Sequence, residues 1–181
     1  VVKAWAQFQK RLQKQEALKQ AHQAKLDFDA SYLPHKEALI AGTDEAGRGP
    51  LAGPVVTAAV ILPNYCAELL GVNDSKQLSK DKRNEFAKRI KEHALYYAVH
   101  FQSAEEIDRL NIYEATRQSM LKSMEALEVQ PDFILADAMT LHTDIPQASI
   151  IKGDAKSLAI AAASILAKTA RDDYMEALDE A

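Results

Sequence analysis

Acidic residues stand where three short apolar runs of the sequence end. Asp44 and Glu45 close the run ALIAGTDE, Asp137 lies at the end of DFILADA, and Asp154 follows ASIIKG directly before a helical pattern. If these runs are neighbouring strands, their ends meet at one edge of the sheet, where ligand sites in open α/β sheets form. Carboxylates that lie close together repel one another and need cations, and oxygen ligands without His or Cys favour Mg²⁺ or Mn²⁺. The four acids therefore predict a divalent-metal site.

Each acid also has a simpler structural interpretation. A single Asp at a strand end is more often a turn or cap residue, and Asp154 could simply cap the last helix. The coincidence of four acids at three strand ends favours the metal site. The acids of the last helix receive the opposite interpretation, as solvated charges on an exposed helix: Asp172, Asp173, Glu176, Asp179 and Glu180.

The segment GRGPLAG, residues 47–53, lies between the first two predicted strands. Its spacing, G-x-G-x-x-x-G, and the strand that follows it differ from the dinucleotide-binding fingerprint, which opens a helix. Gly47 and Gly49 allow the backbone to approach a ligand and leave its N–H and C=O groups unshielded. Such groups could hydrogen-bond a ribose hydroxyl, the group that distinguishes RNA from DNA.

The hydrophobic pattern predicts an α/β fold with a mixed five-stranded sheet flanked by helices. The five strands fall on ALIAGTDE, PVVTAAVIL, ALYYAVHFQS, DFILADA and ASIIKGD. Asp74 and Ser75 offer N-cap chemistry for a basic helix that ends near His93. Residues 104–128 predict either one long helix or two joined near Asn111, and an alanine-rich helix packed tightly on the sheet closes the chain.

Residues 1–35 predict a basic helical extension, and residues 36–181 the α/β domain. Trp5, Phe8 and Leu12 recur at helical spacing, and Pro34 marks the boundary because the residue before a proline disfavours helix. Residues 1–40 carry 7 Lys and Arg against 4 Asp and Glu, as do residues 73–92, although the whole chain has a net charge of −4. Basic helices beside an acidic site suit a polyanion, and solvated helix faces are the alternative.

Other features narrow the class of protein. No run of about 18 apolar residues is present, so no membrane span is predicted, and the N-terminal residues lack the pattern of a signal peptide. Cys66 is the single cysteine and cannot close an internal disulfide, and the five histidines show no zinc-binding spacing. We expect a cytoplasmic protein, and a monomer because no dimer interface is recognisable.

Four segments together resemble the bacterial ribonuclease HII family: GTDEAGRGPLAGPVVTAAVIL, NDSKQLS, LADA and IIKGDAKSLAIAAASILAKTARD. Arg48 between two glycines favours this family over the related ribonuclease HIII family, which usually has lysine there. The resemblance implies an RNase H-like fold. It also implies an endoribonuclease that hydrolyses the phosphodiester on the 5′ side of a ribonucleotide, in an RNA–DNA hybrid or embedded in duplex DNA, leaving 3′-hydroxyl and 5′-phosphate ends.

The resemblance also implies roles for individual residues. The family carboxylates would bind two Mg²⁺ or Mn²⁺ ions about 3.5 to 4 Å apart at the scissile phosphate, and they fall on Asp44, Glu45, Asp137 and Asp154. The backbone of Gly47, Arg48 and Gly49 would contact the ribose 2′-hydroxyl, and the Arg48 side chain could also contact phosphate. Further phosphate contacts, with capping or surface roles as the alternative, are implied for Ser75, Lys76, Ser157 and Lys168.

The sequence departs from the family pattern at both ends. Family members continue beyond the helix that holds ARDDYMEALDE into a Gly-Tyr-Gly-Thr type motif, whose tyrosine stacks on the junction deoxyribose, whereas Tyr174 belongs to the preceding helix. The alternative function is therefore a non-catalytic, hybrid-binding fragment. The basic extension resembles the N-terminal additions of some Gram-positive members, and an accessory role in binding hybrids is a hypothesis.

Overall fold

The computed structural model describes residues 1–49 and 52–181 and contains a mixed sheet. Within these residues the sheet has five strands in the order β3-β2-β1-β4-β5. They are β1 (Ile40–Ala46), β2 (Val55–Ile61), β3 (Tyr96–Gln102), β4 (Phe133–Asp137) and β5 (Gln147–Ile150). Strand β2 is antiparallel to β1 and β3, whereas β1, β4 and β5 are mutually parallel. The predicted mixed five-stranded sheet is confirmed.

Helices cover both faces of the sheet. They are α1 (Val2–Ala30), α2 (Lys80–His93), α3 (Ala104–Leu110), α4 (Ile112–Glu125), α5 (Gly153–Lys156) and α6 (Leu158–Glu180). Side chains alternate along β2, so Val56, Ala58 and Val60 pack with α2 and α6, whereas Ala59 and Ile61 pack with α4. None of the helices in the described ranges is long and apolar enough to cross a membrane.

Helix α6 lies directly against β1. A Cβ atom added at Gly42 would stand 2.3 Å from the backbone carbon of Ala159, so only glycine permits this approach. The alanines of α6 remove further bulk from the helix surface and are buried at Ala161, Ala162 and Ala163. The predicted tight packing of the alanine-rich helix on the sheet is therefore confirmed.

Two helix starts differ from the prediction. The basic helix begins at Lys80, where the Ser79 hydroxyl accepts a hydrogen bond from the Lys82 N–H at 3.2 Å. Asp74 instead caps a short 3₁₀ turn, Ser75–Gln77, because its carboxylate accepts from the Lys76 N–H at 2.9 Å. The prediction that Asp74 and Ser75 cap the basic helix was wrong: Leu78 is extended and separates the turn from the helix.

The other open alternatives are resolved by backbone geometry. Residues 104–125 form two helices, and Asn111 between them has a φ of 74° while its side chain caps α4. Asp154 does not cap the last helix. It lies within α5, and the Ser157 hydroxyl caps α6 by accepting from the Ile160 N–H at 3.1 Å.

The N-terminal helix has an exposed first half and a packed second half. Trp5, Phe8 and Leu12 are exposed, so their helical spacing does not mark a buried face. Leu26 belongs to the core formed with α2 and α6, and Asp29 accepts a hydrogen bond from the Ala159 N–H at 2.9 Å. The predicted helix is confirmed, and the domain boundary at residue 35 stays a prediction.

Candidate active site

Three of the predicted carboxylates converge at one edge of the sheet. Strands β1 and β4 run parallel with Thr43 opposite Ala136, so the next residues, Asp44 and Asp137, lie side by side. One carboxylate oxygen each from Asp44, Glu45 and Asp137 can be chosen so that all lie within 4.8 Å of one another. The parallel strand ends therefore bring these acids together as the sequence indicated.

Burial makes this group electrostatically unfavourable without a cation. Asp44 is 4% exposed, and burial raises its pKa well above the ordinary value, with further contributions from the charges of Glu45 and Asp137. Burial also raises the pKa of Glu45, although a hydrogen bond from Asp44 and the charge of Arg48 offset part of this. One Glu45 oxygen, Oε2, is buried with no hydrogen-bond partner in the described residues.

These observations fit a hard divalent cation. An ion between the carboxylates would replace their mutual repulsion with attraction and give the unpartnered Glu45 oxygen a ligand role. Asp44, Glu45 and Asp137 supply oxygen ligands only, which favours Mg²⁺ or Mn²⁺ over zinc.

Asp137 is held in place by the segment that carries the fourth predicted acid. Its Oδ1 accepts a hydrogen bond from the Gly153 N–H at 2.8 Å, and the Ala138 N–H donates to the Ile150 carbonyl at 2.9 Å. These bonds join the end of β4 to the turn between β5 and α5. Asp154 follows Gly153, so one short segment orients one acid and carries another.

Asp154 stands beside the group of three rather than within it. Burial, a hydrogen bond with Asp74 and the charge of Asp74 raise the pKa of Asp154 to about 7, and Asp137 adds to the rise. The Asp74 carboxyl was not predicted as a site residue, because its N-cap chemistry accounted for it. Its place in the NDSK segment, one of the four that carry the family resemblance, is the signal that could have found it.

The glycine-rich turn begins two residues after Glu45. Gly47 has a φ of 91°, which favours glycine, and Arg48 and Gly49 are exposed. The Arg48 guanidinium lies 4.0 Å from the Glu45 carboxylate, and its central carbon is 5.5 Å from the centre of the Tyr113 ring. Pro50 and Leu51, which the sequence also placed in this turn, lie outside the described residues.

The remaining predicted phosphate contacts have different surroundings. Ser75 is buried, with its hydroxyl 2.9 Å from that of Ser164, and Ser157 is buried as the cap of α6. Lys168 donates to Asp172 at 2.8 Å. Lys76 is exposed, and its charge partly opposes the rise in the pKa of Asp154, so it lies near this acid. The phosphate roles stay predictions.

Comparisons with known proteins identify a family and its members as similar to this chain. The model of the family described as Ribonuclease HII matches residues 41–181. A curated relative, the ribonuclease HII of Bacillus licheniformis, is 51% identical over 176 residues, which are 97% of this chain and 68% of that protein.

Solved structures show the same architecture. The ribonuclease H2 from Pyrococcus horikoshii OT3 is 30% identical with a TM-score of 0.70, over 78% of this chain and 76% of that one. A structure of Bst-RNase HIII in complex with Mn²⁺ is 23% identical with a TM-score of 0.66, over 88% of this chain and 56% of that one, and shows likeness of fold. The RNase H-like fold implied by the motifs is thereby confirmed.

Proposed function

This chain belongs to the ribonuclease HII family, a family of ribonuclease H enzymes, and from that premise we propose its substrate, its site residues and its mechanism. The substrate is a DNA duplex with embedded ribonucleotides, or an RNA–DNA hybrid, cut on the 5′ side of a ribonucleotide to leave 3′-hydroxyl and 5′-phosphate ends. The observation that carries the proposal is the convergence of Asp44, Glu45 and Asp137 within 4.8 Å, beside an exposed glycine turn. The enzyme is proposed to act as a monomer in the cytoplasm.

The carboxylates hold the metal ions in this proposal. Asp44, Glu45 and Asp137 are the ligands that the geometry supports most strongly, and Asp154 in α5 is the fourth. Two ions, Mg²⁺ or Mn²⁺, supply activation of the attacking water and stabilisation of the leaving 3′-oxygen when bound. The protein's own tasks are then to fix the acids and the duplex, because no side chain has to act as nucleophile.

Two of the carboxylates are fixed by backbone N–H groups. The Gly153 N–H fixes one oxygen of Asp137, and the buried Asp44 accepts from the Glu45 N–H at 2.7 Å. Burial and the neighbouring Asp74 raise the pKa of Asp154 to about 7 in the metal-free protein. Binding of cations therefore releases protons from these oxygens, so metal affinity rises with pH.

The glycine turn supplies selection for RNA. The backbone of Gly47, Arg48 and Gly49 is proposed to hydrogen-bond the ribose 2′-hydroxyl, which an all-DNA strand lacks. Arg48 is exposed beside Glu45 and is available to a flanking phosphate. Ser75, Lys76, Ser157 and Lys168 are proposed as further phosphate contacts, of which Lys76 has the most accessible position.

The test is cleavage of a labelled DNA duplex that contains one ribonucleotide. This chain is compared with its Asp137→Asn variant, with Mg²⁺, with Mn²⁺ and with EDTA. The matched control is Asp179→Asn, which neutralises an exposed acid at the far end of α6. We expect metal-dependent incision on the 5′ side of the ribonucleotide, retained by the control and reduced by on the order of 10³-fold in Asp137→Asn.

Duplex binding without incision would contradict the catalytic proposal. If the folded chain binds the duplex but no condition gives incision, the catalytic proposal fails and a non-catalytic hybrid-binding role replaces it. Duplex affinity should fall with added salt in either case, because lysines and arginines displace counterions from phosphates.

A further inference from the structure

Arg171 of α6 is a buried cation that hydrogen-bonds the chain next to the glycine turn. Its side chain is 6% exposed, and within the described residues it makes no ion pair with a carboxylate. Its Nε donates to the Pro54 carbonyl at 3.0 Å, and its Nη2 donates to the Ala52 carbonyl at 2.8 Å. Both acceptors belong to the segment that leads from the glycine turn into β2.

The turn also packs on the guanidinium. A Cβ atom added at Gly47 would lie 2.1 Å from Arg171 Nε, and one added at Gly53 would lie 3.1 Å from Nη2. Both glycines have positive φ, 91° and 93°. The two ends of the turn therefore close around the Arg171 side chain, leaving room for no side chain larger than hydrogen at Gly47.

Arginine suits this position better than other residues. Burial of a charge is costly unless hydrogen bonds compensate it, and a helix needing only hydrophobic contact with the turn would use an apolar residue. The planar guanidinium offers several N–H donors in fixed directions, so it can hold two carbonyls at a set separation. Lysine offers a single flexible ammonium group. The position therefore requires directed donors to backbone rather than charge alone.

We propose that Arg171 is a positioning residue for recognition of the ribonucleotide. It fixes the turn so that the peptide groups of residues 47–49 face the ribose of a strand bound at the carboxylates. The turn starts only two residues after Glu45, so a displaced turn loses its alignment with the acids while the acids stay on their strands. This inference rests on the proposed function of the glycine turn.

The first experiment measures catalysis and metal binding separately. Arg171→Met removes the donors but keeps an unbranched side chain, and Arg171→Lys restores a positive charge. The control is Arg89→Met, which removes a partly exposed arginine of α2. We expect Arg171→Met to lower kcat/KM on the one-ribonucleotide duplex by about 10²-fold, as displacements of about 1 Å do, with Mn²⁺ affinity unchanged. Arg171→Lys should recover part of the loss, and amide exchange in peptides covering residues 46–56 should accelerate in Arg171→Met.

The second experiment measures duplex binding, so it gives a result whether or not the chain cleaves the duplex. In an Asp137→Asn background, we compare affinity for the one-ribonucleotide duplex with affinity for the same duplex made entirely of DNA. We expect Arg171→Met to abolish the preference for the ribonucleotide. A preference retained by Arg171→Met overturns the positioning role even if the parent enzyme cuts. If the parent chain does not cut, the proposed function fails, and the preference still decides the role of Arg171.

A purely structural role would give another pattern. Arg171→Met would then lose Mn²⁺ affinity and thermal stability together with activity. Positioning instead predicts that Arg171→Met keeps its Mn²⁺ affinity while it loses the preference for the ribonucleotide. Gly47→Ala, which brings a methyl group against the guanidinium, should have the same effect because it displaces the same turn.

Discussion

Glu45 and Thr57 are paired across the β1–β2 ladder, but their side chains differ in whether their polar atoms have hydrogen-bond partners. The Thr57 hydroxyl lies 2.8 Å from that of Ser119, which lies 2.8 Å from His100 Nδ1. Burial lowers the pKa of His100, which favours the neutral ring. This threonine–serine–histidine network is hydrogen-bonded throughout, whereas Glu45 Oε2 has no partner in the described chain.

The difference shows that unfavourable electrostatic interactions are found at the carboxylate edge and not in the neighbouring hydrogen-bonded network. A buried polar network that only supports structure is satisfied internally, because each unpaired group would cost free energy. The carboxylate edge keeps acids with raised pKa values side by side, which a structural role does not require. Such clusters are typical of functional sites, and the contrast across one pair of strands supports the proposed metal site.

The largest effect is expected from neutralising the carboxylate edge. Asp44→Asn keeps the shape of the side chain but removes a charge that the proposed ions need, so the cleavage rate should fall by on the order of 10³-fold. Single-turnover cleavage of the one-ribonucleotide duplex measures it. The metal-free variant should be at least as stable as the parent. Wild-type cleavage by Asp44→Asn would remove this acid from the proposed ligand set.

Substitutions in the threonine–serine–histidine network should change the free energy of unfolding rather than the cleavage rate. Ser119→Ala leaves both the Thr57 hydroxyl and His100 without their shared partner, so the free energy of unfolding should fall by about 2 kcal/mol. Urea denaturation measures it. Ser123→Ala on the same helix is the control, because within residues 1–49 and 52–181 its hydroxyl bonds only the Met120 carbonyl of its own helix. Equal effects of the two substitutions would show that the network adds nothing beyond a buried hydroxyl.

The pH dependence should separate the metal-free and metal-bound proteins. Burial raises the folded-state pKa of Asp44 and Glu45, and that of Asp154 to about 7, so these three groups bind more protons in the folded protein than in the unfolded chain. Their contribution to stability in EDTA should therefore decrease as pH rises from about 4 to 7. Asp154→Asn removes one of these groups and should reduce the decrease. The reduction should be only on the order of 1 kcal/mol, because solvent screens a half-buried group.

Thermal unfolding across this pH range, with EDTA and with Mg²⁺, checks the expectation. Added Mg²⁺ should restore stability most at the upper end of the range. The same pH dependence in the parent and in Asp154→Asn would contradict it.

The smallest effect is expected at two threonines on neighbouring strands. Thr43 and Thr57 are both fully buried, but the Thr43 hydroxyl has no partner in the described ranges. Thr43→Val should change the free energy of unfolding by no more than about 0.5 kcal/mol, and the change should favour folding. Thr57→Val should destabilise the protein by about 1 kcal/mol. Urea midpoints compare the two, and the reverse order would contradict the hydrogen-bond assignment.

The sequence predicted the sheet and its acids because both depend on local pattern. Each apolar run that ends in Asp44, Asp137 or the segment before Asp154 formed a strand, and parallel pairing brought the acids to one edge. The start of α2 was misplaced because Asp74 and Ser79 offer the same cap chemistry a few residues apart. Only the extended backbone of Leu78 distinguishes them.

Contacts between distant segments were beyond sequence reasoning. Arg171 lies 117 residues from Pro54, whose carbonyl it binds, and nothing local in its helix marks it as a partner of the glycine turn. Asp74 likewise becomes part of the acidic group only because its side chain meets that of Asp154, 80 residues away in the sequence. Trp5, Phe8 and Leu12 have a regular helical spacing and are nevertheless exposed. Such a spacing predicts a helix but does not specify which segment, if any, packs against its apolar side.

The close approach of α6 to β1 at Gly42 has a mechanical consequence. The same helix is pressed against the Asp44 strand near its start and carries Arg171 about 18 Å further along, at 1.5 Å per residue from Ala159. One continuous helix therefore links the strand that carries Asp44 to the arginine that hydrogen-bonds the segment after the glycine turn. In the proposed function, this link sets the distance between the acids and the turn, so that only a strand with a ribose hydroxyl at the matching separation aligns for cleavage.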